Sequence, residues 1–213
     1  MKRITIVGAG GFGREVLTVL RSIDPEETNL KFAGFVSKDE PDPELLHRAR
    51  ARWLGDDRTF LESPCADAYV VGIANPSRRR EVAQLFDRSG LEAISLIHPS
   101  AAIGFDVEIG PGAVVSAGAM VTTNVRVGMH VHLDRLVNVG HDCVIENYVT
   151  AHPGAIVSGG VTIKQGTVIG AAACILPRCQ IANDVVVGAG AVVTSDVEAS
   201  TTVVGVPARS LGP

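Results

Sequence analysis

The chain has 213 residues, a formal net charge of -4, four cysteines and an aromatic content of only 4%. That length supports one large domain or two small ones with a true core, which Val, Ile, Leu and Ala must build. The mild acidity leaves no whole-molecule attraction to nucleic acid or an anionic membrane, and no apolar run is long enough to span a bilayer.

The chain opens with Met1-Lys2-Arg3 and a short buried strand, Ile4–Val7, rather than a secretory leader. A glycine turn follows, and apolar spacing predicts a helix over Arg14–Ile23. Strands are predicted at Lys31–Ser37 and Ala68–Ala74, with "SKDEPDPE" as a loop. A second helix is predicted from an N-cap at Ser77 to a C-cap at Gly90, and "AISLI" reads as a last strand. Strand–helix alternation of this kind implies a small parallel α/β sheet over residues 1–96. Cys65, Cys143, Cys174 and Cys179 show neither a CxxC pair nor metal spacing, so they read as buried thiols of a reducing cytoplasm.

From Ile97 a period of six takes over and runs for 17 hexads, IHPSAA to VTSDVE, without an insertion. The first position is Ile, Val or Leu in 16 of them, Ala151 being the exception, and the fifth is always Ala, Val, Cys or Thr. No helix keeps one face at period six, and a flat strand repeats at two. A coil with three short flat sides accommodates the pattern, the large residue filling the interior and the small one the corner. This is the hexapeptide form of a parallel β-helix, with between five and six turns at three hexads each.

Two motifs carry chemistry. "GAGGFG" satisfies G-x-G-x-x-G at Gly8, Gly10 and Gly13, after a strand and before a helix, where backbone amides can cradle a phosphate. NAD is disfavoured, because the second strand ends at Ser37-Lys38 and not at an acidic residue. In the hexad VGHDCV, Val139 and Cys143 hold the frame, while His141 and Asp142 lie between them and are free to reach outward. A neutral imidazole beside a carboxylate is a competent proton acceptor at cellular pH. His130 and His132 read as structural or solvated.

With "GAGGFG", "VVGIANPSRRR", "GHDCVI", "PGAIVSGGV" and "VVGVPARSL", the chain resembles left-handed β-helix sugar acetyltransferases that carry an N-terminal Rossmann-like lobe. These include nucleotide-amino-sugar N-acetyltransferases of the bacillosamine type and sialic-acid O-acetyltransferases. The resemblance implies an α/β acceptor-binding lobe over 1–96 and a left-handed β-helix acyltransferase domain over 97–213. It implies acetyl-CoA as co-substrate, no metal, a homotrimer with the site between subunits, and a sugar or nucleotide-sugar acceptor acetylated on an amino or hydroxyl group.

It implies His141 as general base, with Asp142 increasing its basicity. Gly159 would offer an amide to the thioester oxyanion, and Thr150 would lie near the thioester. Gly170-Ala171 and Gly188-Ala189 would lie along the pantetheine and adenine, and Arg209 would meet a phosphate. Gly8, Gly10, Gly11, Phe12, Gly13, Ser37, Lys38, Gly72, Asn75 and Asp134 would hold the acceptor. The chain departs from the pattern at Phe12, where relatives often have histidine, and at Ser37-Lys38-Asp39, where they often carry paired aspartates; the acceptor's nucleotide stays open. His152 stands two residues beyond the family's second histidine position, which is Thr150 here. Two alternatives share parts of the pattern: a γ-carbonic-anhydrase-like zinc lyase, and a non-catalytic sugar-nucleotide sensor or scaffold.

Overall fold

The computed structural model describes residues 1–24, 26 and 29–211. Contacts divide the chain into two units, the first running from Met1 to Leu96 and the second starting at Ile97.

In the first unit, β1 (Lys2–Val7) is the centre of a parallel sheet. It is followed by α1 (Gly11–Ser22), β2 (Leu30–Val36), α2 (Pro43–Arg48), α3 (Asp57–Glu62), β3 (Ala68–Val71), α4 (Pro76–Asp87) and β4 (Glu92–Ala93). The sheet order is β2-β1-β3-β4. The chain therefore leaves β1 toward one edge and returns to its other side at β3. In open α/β sheets such a reversal leaves a crevice beyond the strands' carboxyl ends, where ligands bind. The buried residues of β1 and β3 are nearly continuous aliphatics, as strands covered on both faces require.

Helices α2 and α3 are additions to the sequence reading, in which no helix was placed there. Each begins with an aspartate, Asp42 or Asp56, whose carboxylate accepts an N-terminal amide. The cap of α4 is also corrected. Asn75, not Ser77, caps it, with Oδ1 accepting from Arg78 N at 2.9 Å. Pro76 then takes the first helical position, where its missing N–H costs nothing.

The second unit is a left-handed parallel β-helix of about six turns. Strands of two or three residues stack into three faces. One runs through Val114–Val115, His132–Leu133, Thr150–Ala151, Val168–Ile169 and Val186–Val187. The second runs through Met120–Val121, Asn138–Val139, Ile156–Val157 and Cys174–Ile175, and the third through Val125–Val127, Val144–Ile145 and Thr162–Ile163. Partners on each face lie 18 residues apart, as in His132↔Thr150↔Val168. The last turn is two residues shorter, Val186 pairing with Thr202, and Arg209–Ser210 closes the first face antiparallel.

First and fifth positions of the hexads point inward. Val139, Cys143, Ile145, Val149 and Ala151 are all buried in the coil's core. Each fully buried aliphatic contributes roughly 1.5–3 kcal/mol. The fourth position turns the corner. From Asp106 to Gly190, every sixth residue has a positive φ, including bulky Leu136 (60°) and Tyr148 (61°). This left-handed position was not legible as a glycine pattern, because nine of these fifteen residues carry side chains.

Candidate active site

The His141 and Asp142 pair sits at the corner between the second and third faces. Asp142 occupies the left-handed position, φ 58°, which turns its carboxylate back along the chain. Its Oδ2 lies 2.7 Å from His141 Nδ1. A carboxylate only accepts, so Nδ1 carries the proton and donates it. The Nε2 lone pair is then the one free to take another. Both side chains are exposed, 66% for His141 and 58% for Asp142. The His141 hydrogen bond, then one from Asn124, hold the Asp142 carboxyl below the usual carboxylate range.

One turn onward in the same column is Gly159. A Cβ there would stand 2.5 Å from His141 Nε2 and 2.6 Å from Cε1. The imidazole thus rests on a bare Cα, and only glycine leaves it room. The Gly159 N–H makes no hydrogen bond among the described residues, whereas the next amide, Gly160 N, donates to His141 O at 2.8 Å. Base nitrogen and unspent amide therefore lie together. Below the ring, Cys143 Sγ points inward and donates to Ser158 O at 3.1 Å, and burial pushes its thiol up.

The other expected cofactor residues are elsewhere. Gly170-Ala171 and Gly188-Ala189 stack at the corner between the first and second faces, with both alanines exposed. Arg209 is exposed, its guanidinium donating to Ala208 O at 2.8 Å. Thr150 is on the first face and only 2% exposed. Asp134 is buried, and its Oδ1 accepts from Arg135 N. One coil thus unites His141, Asp142 and Gly159 and leaves the remaining candidates at another corner or on another face. His152, half-buried one turn above Asp134, has no side-chain hydrogen bond among the described residues. His130 and His132 are both buried, so the solvated reading is excluded; His130 stacks on Tyr148 at 5.4 Å.

In the α/β unit the glycines divide into two kinds. Gly8, Gly13 and Gly72 meet where β1, α1 and β3 converge. A Cβ on Gly13 would fall 1.9 Å from Gly8 O, and one on Gly72 2.7 Å from Gly13 Cα. Gly10 and Gly11 have open space instead. A cleft of about 370 Å³ is lined by Ala9, Gly10 and the Ser37–Pro41 loop, Lys38 included. Ser37 is itself held, its Oγ donating to Asp39 O at 2.9 Å and its carbonyl accepting from Trp53 Nε1 at 3.2 Å. Phe12 is half-buried at the first turn of α1. Beyond β3, the fully buried Arg79 donates to Ile73 O (2.8 Å) and Ala74 O (2.9 Å), fixing the loop between Gly72 and Asn75. Asn75 Oδ1 accepts from the first turn of α4, which leaves its Nδ2 free to donate to a ligand.

Known proteins resemble this chain over nearly its whole length. The chain is 32% identical to GDP-perosamine N-acetyltransferase of Escherichia coli O157:H7 over 214 residues, 97% of this chain and 95% of that protein. It belongs to the GDP-perosamine N-acetyltransferase family. Residues 3–86 match the PglD N-terminal domain. A histidine-to-asparagine mutant of perosamine N-acetyltransferase from Caulobacter crescentus, solved with CoA and GDP-perosamine, superposes with a TM-score of 0.91 at 26% identity, covering 100% of this chain and 98% of that one. The acetyltransferase domain of PglB from Neisseria gonorrhoeae, with acetyl coenzyme A, gives 0.84 at 28% identity and 99% coverage of each chain. Membership makes the chain an acyltransferase, which sets aside the zinc-lyase and sensor alternatives. Among the described residues no helix is long and apolar enough to cross a membrane.

Proposed function

We propose that this acetyltransferase moves the acetyl group of acetyl-CoA onto the amino group of a nucleotide-linked amino sugar, with His141 as general base. The observation that carries the reading is the pairing of a tautomer-locked imidazole, Nδ1 bound to Asp142, with the unspent Gly159 amide beside its free nitrogen. The acceptor nitrogen attacks the thioester carbonyl. His141 Nε2 takes the proton that the nitrogen sheds, and the Gly159 N–H donates to the oxyanion as it forms. Collapse breaks the C–S bond, and the imidazolium returns the proton to the departing CoA sulfur. Asp142 holds the neutral ring in the tautomer with its proton on Nδ1, which leaves the lone pair on Nε2, and stabilises the imidazolium in between.

A nitrogen acceptor is supported by the relatives' names, among them GDP-perosamine N-acetyltransferase. The Caulobacter relative was solved with CoA and GDP-perosamine as variants of a single histidine. The acceptor's nucleotide lies at the crevice beyond β1 and β3, against Gly10, Gly11 and Phe12, with Ser37, Lys38 and Asn75 at the rim. Gly8, Gly13 and Gly72 shape that crevice by letting its walls approach. Asp134 and Thr150 assist at the sugar and thioester, respectively.

Pantetheine passes Gly170-Ala171 and Gly188-Ala189, and Arg209 meets a CoA phosphate. Because these lie at a different corner from His141, the complete site takes two coils, which a homotrimer supplies three times. Four free cysteines and an intracellular thioester co-substrate suit the cytoplasm. The test is thiol release from acetyl-CoA over GDP-, UDP-, dTDP- and CMP-linked amino and hydroxy sugars, with His141→Asn beside the wild type. Turnover with an amino sugar that the variant lacks is expected. An unimpaired His141→Asn enzyme refutes the base assignment.

A further inference from the structure

The left-handed corner positions of successive turns form a vertical column beside the imidazole: Asp106, Asn124, Asp142, Gly160 and Arg178. Adjacent rungs are about 4.8 Å apart. Asn124 Nδ2 donates to Asp142 Oδ1 at 3.2 Å, and Thr123 Oγ1 donates to Asn124 Oδ1 at 3.0 Å. The carboxylate only accepts, so the NH₂ end of Asn124 faces it and the amide oxygen is left to the Thr123 hydroxyl. Asp142 therefore has one oxygen on the imidazole and the other on this amide.

We infer that Asn124 is a positioning residue for catalysis, orienting Asp142 so that its carboxylate holds His141 Nδ1–H and leaves Nε2 aimed at the acceptor. This rests on the assignment of His141 as base. The need for such a prop is physical. Asp142 and His141 are both more than half exposed, so packing alone does not fix the carboxylate, and a carboxylate free to turn would let the imidazole change tautomer. A second hydrogen bond from the turn below removes that freedom. An amide also suits this rung better than an acid. Asp106, one rung lower, is held by Arg126 at 3.1 Å, and Arg126 also pairs with Glu108. A carboxylate at 124 would stack three acidic groups in successive rungs, with Arg178 two turns above His141's own rung as the remaining column charge. Neutral Asn124 separates the two aspartates while still donating.

The test compares Asn124→Gly, Asn124→Asp and His141→Asn. Glycine is at home with a φ of 55°, as Gly160 is in the same column, so Asn124→Gly removes the amide without strain. Its kcat is expected to fall about 5- to 50-fold with both KM values little changed, the scale of a loosened catalytic geometry. ¹⁵N chemical shifts of the His141 ring should change from one tautomer to a mixture. Asn124→Asp keeps the shape but adds a charge; the acid limb of kcat/KM should move upward by roughly half a pH unit. Wild-type kcat, tautomer and pH profile in both Asn124 variants would overturn the proposal while an inactive His141→Asn leaves the base assignment standing. An active His141→Asn overturns both. A lowered melting temperature with an unmoved pH profile in Asn124→Asp would mark Asn124 as structural only.

Discussion

Replacing Gly159 by alanine separates the fold from the chemistry at one atom. Gly159 does not use a left-handed φ, so the backbone accepts a side chain there. The added Cβ would stand 2.5 Å from Nε2, 2.6 Å from Cε1 and 3.0 Å from Cδ2 of His141. Unstrained contact needs about 3.5 Å, so the ring must retreat by roughly 1 Å. The obstacle is the far end of an exposed side chain, which can swing into solvent, so the melting temperature should change by less than about 2 °C. The retreat pulls Nδ1 from Asp142 and shifts Nε2 from the Gly159 amide. A misplacement of this size costs about 100-fold in rate, or about 2.7 kcal/mol of barrier. Thiol release at saturating acetyl-CoA, with a melting curve on the same preparation, reads both quantities. A folded Gly159→Ala enzyme with unchanged kcat would refute the ring-on-glycine site.

Five further outcomes are expected. Asp142→Asn should lower kcat by about 10- to 1,000-fold, because the amide can face Nδ1 with its NH₂ and admit the wrong tautomer; pre-steady-state thiol release measures it. Since His141 and Asn124 hold Asp142 below the ordinary carboxylate range, its charge persists as pH falls from 7 to 5 and is lost only below its lowered pKa. Asp142 therefore adds no proton of its own to log kcat/KM over that window, and a slope steeper than one there would contradict the pair. Cys143, buried and with its thiol pushed up by that burial, should resist iodoacetamide at pH 7.5 in the native enzyme while half-buried Cys65 and Cys174 label first, as read by peptide mass spectrometry. Gly13→Ala, whose Cβ would overlap Gly8 O at 1.9 Å, should cost about 3 kcal/mol in the α/β unit, whereas Ala172→Gly, at φ 54°, should stabilise the coil by about 0.5–1 kcal/mol in denaturant titration.

The parts of the molecule legible from sequence are those where one residue type answers one physical demand. Interior positions of a coil need aliphatics every sixth residue, so the frame from Ile97 could be read outright, and it placed His141 and Asp142 outward. What escaped was vertical. Asn124 and Asp142 are 18 residues apart, and nothing local connects them. Laying the hexads three to a row would have put them in one column, but the left-handed turn that aims both side chains is occupied by Asp, Asn, Leu, Tyr and Ala as readily as by glycine. In the α/β unit the G-x-G-x-x-G pattern serves two demands: Gly8 and Gly13 answer close backbone approach, while Gly10 and Gly11 face open space. Asn75, expected at the acceptor, also had the preceding-proline geometry of a cap, and α4 takes its oxygen.

The 18-residue turn has an evolutionary arithmetic. Excising any whole turn, 18 residues, shortens the coil by one storey and leaves every later side chain on its own corner. Excising a single hexad keeps the aliphatic frame and the fold's local grammar, yet rotates everything beyond it by one corner. A six-residue deletion between Asn124 and His141 would still make a well-packed solenoid. It would carry the imidazole to the neighbouring edge, away from Asn124 and out of line with the two turns beneath it. Length changes in this enzyme are therefore quantised twice, in sixes for folding and in eighteens for chemistry.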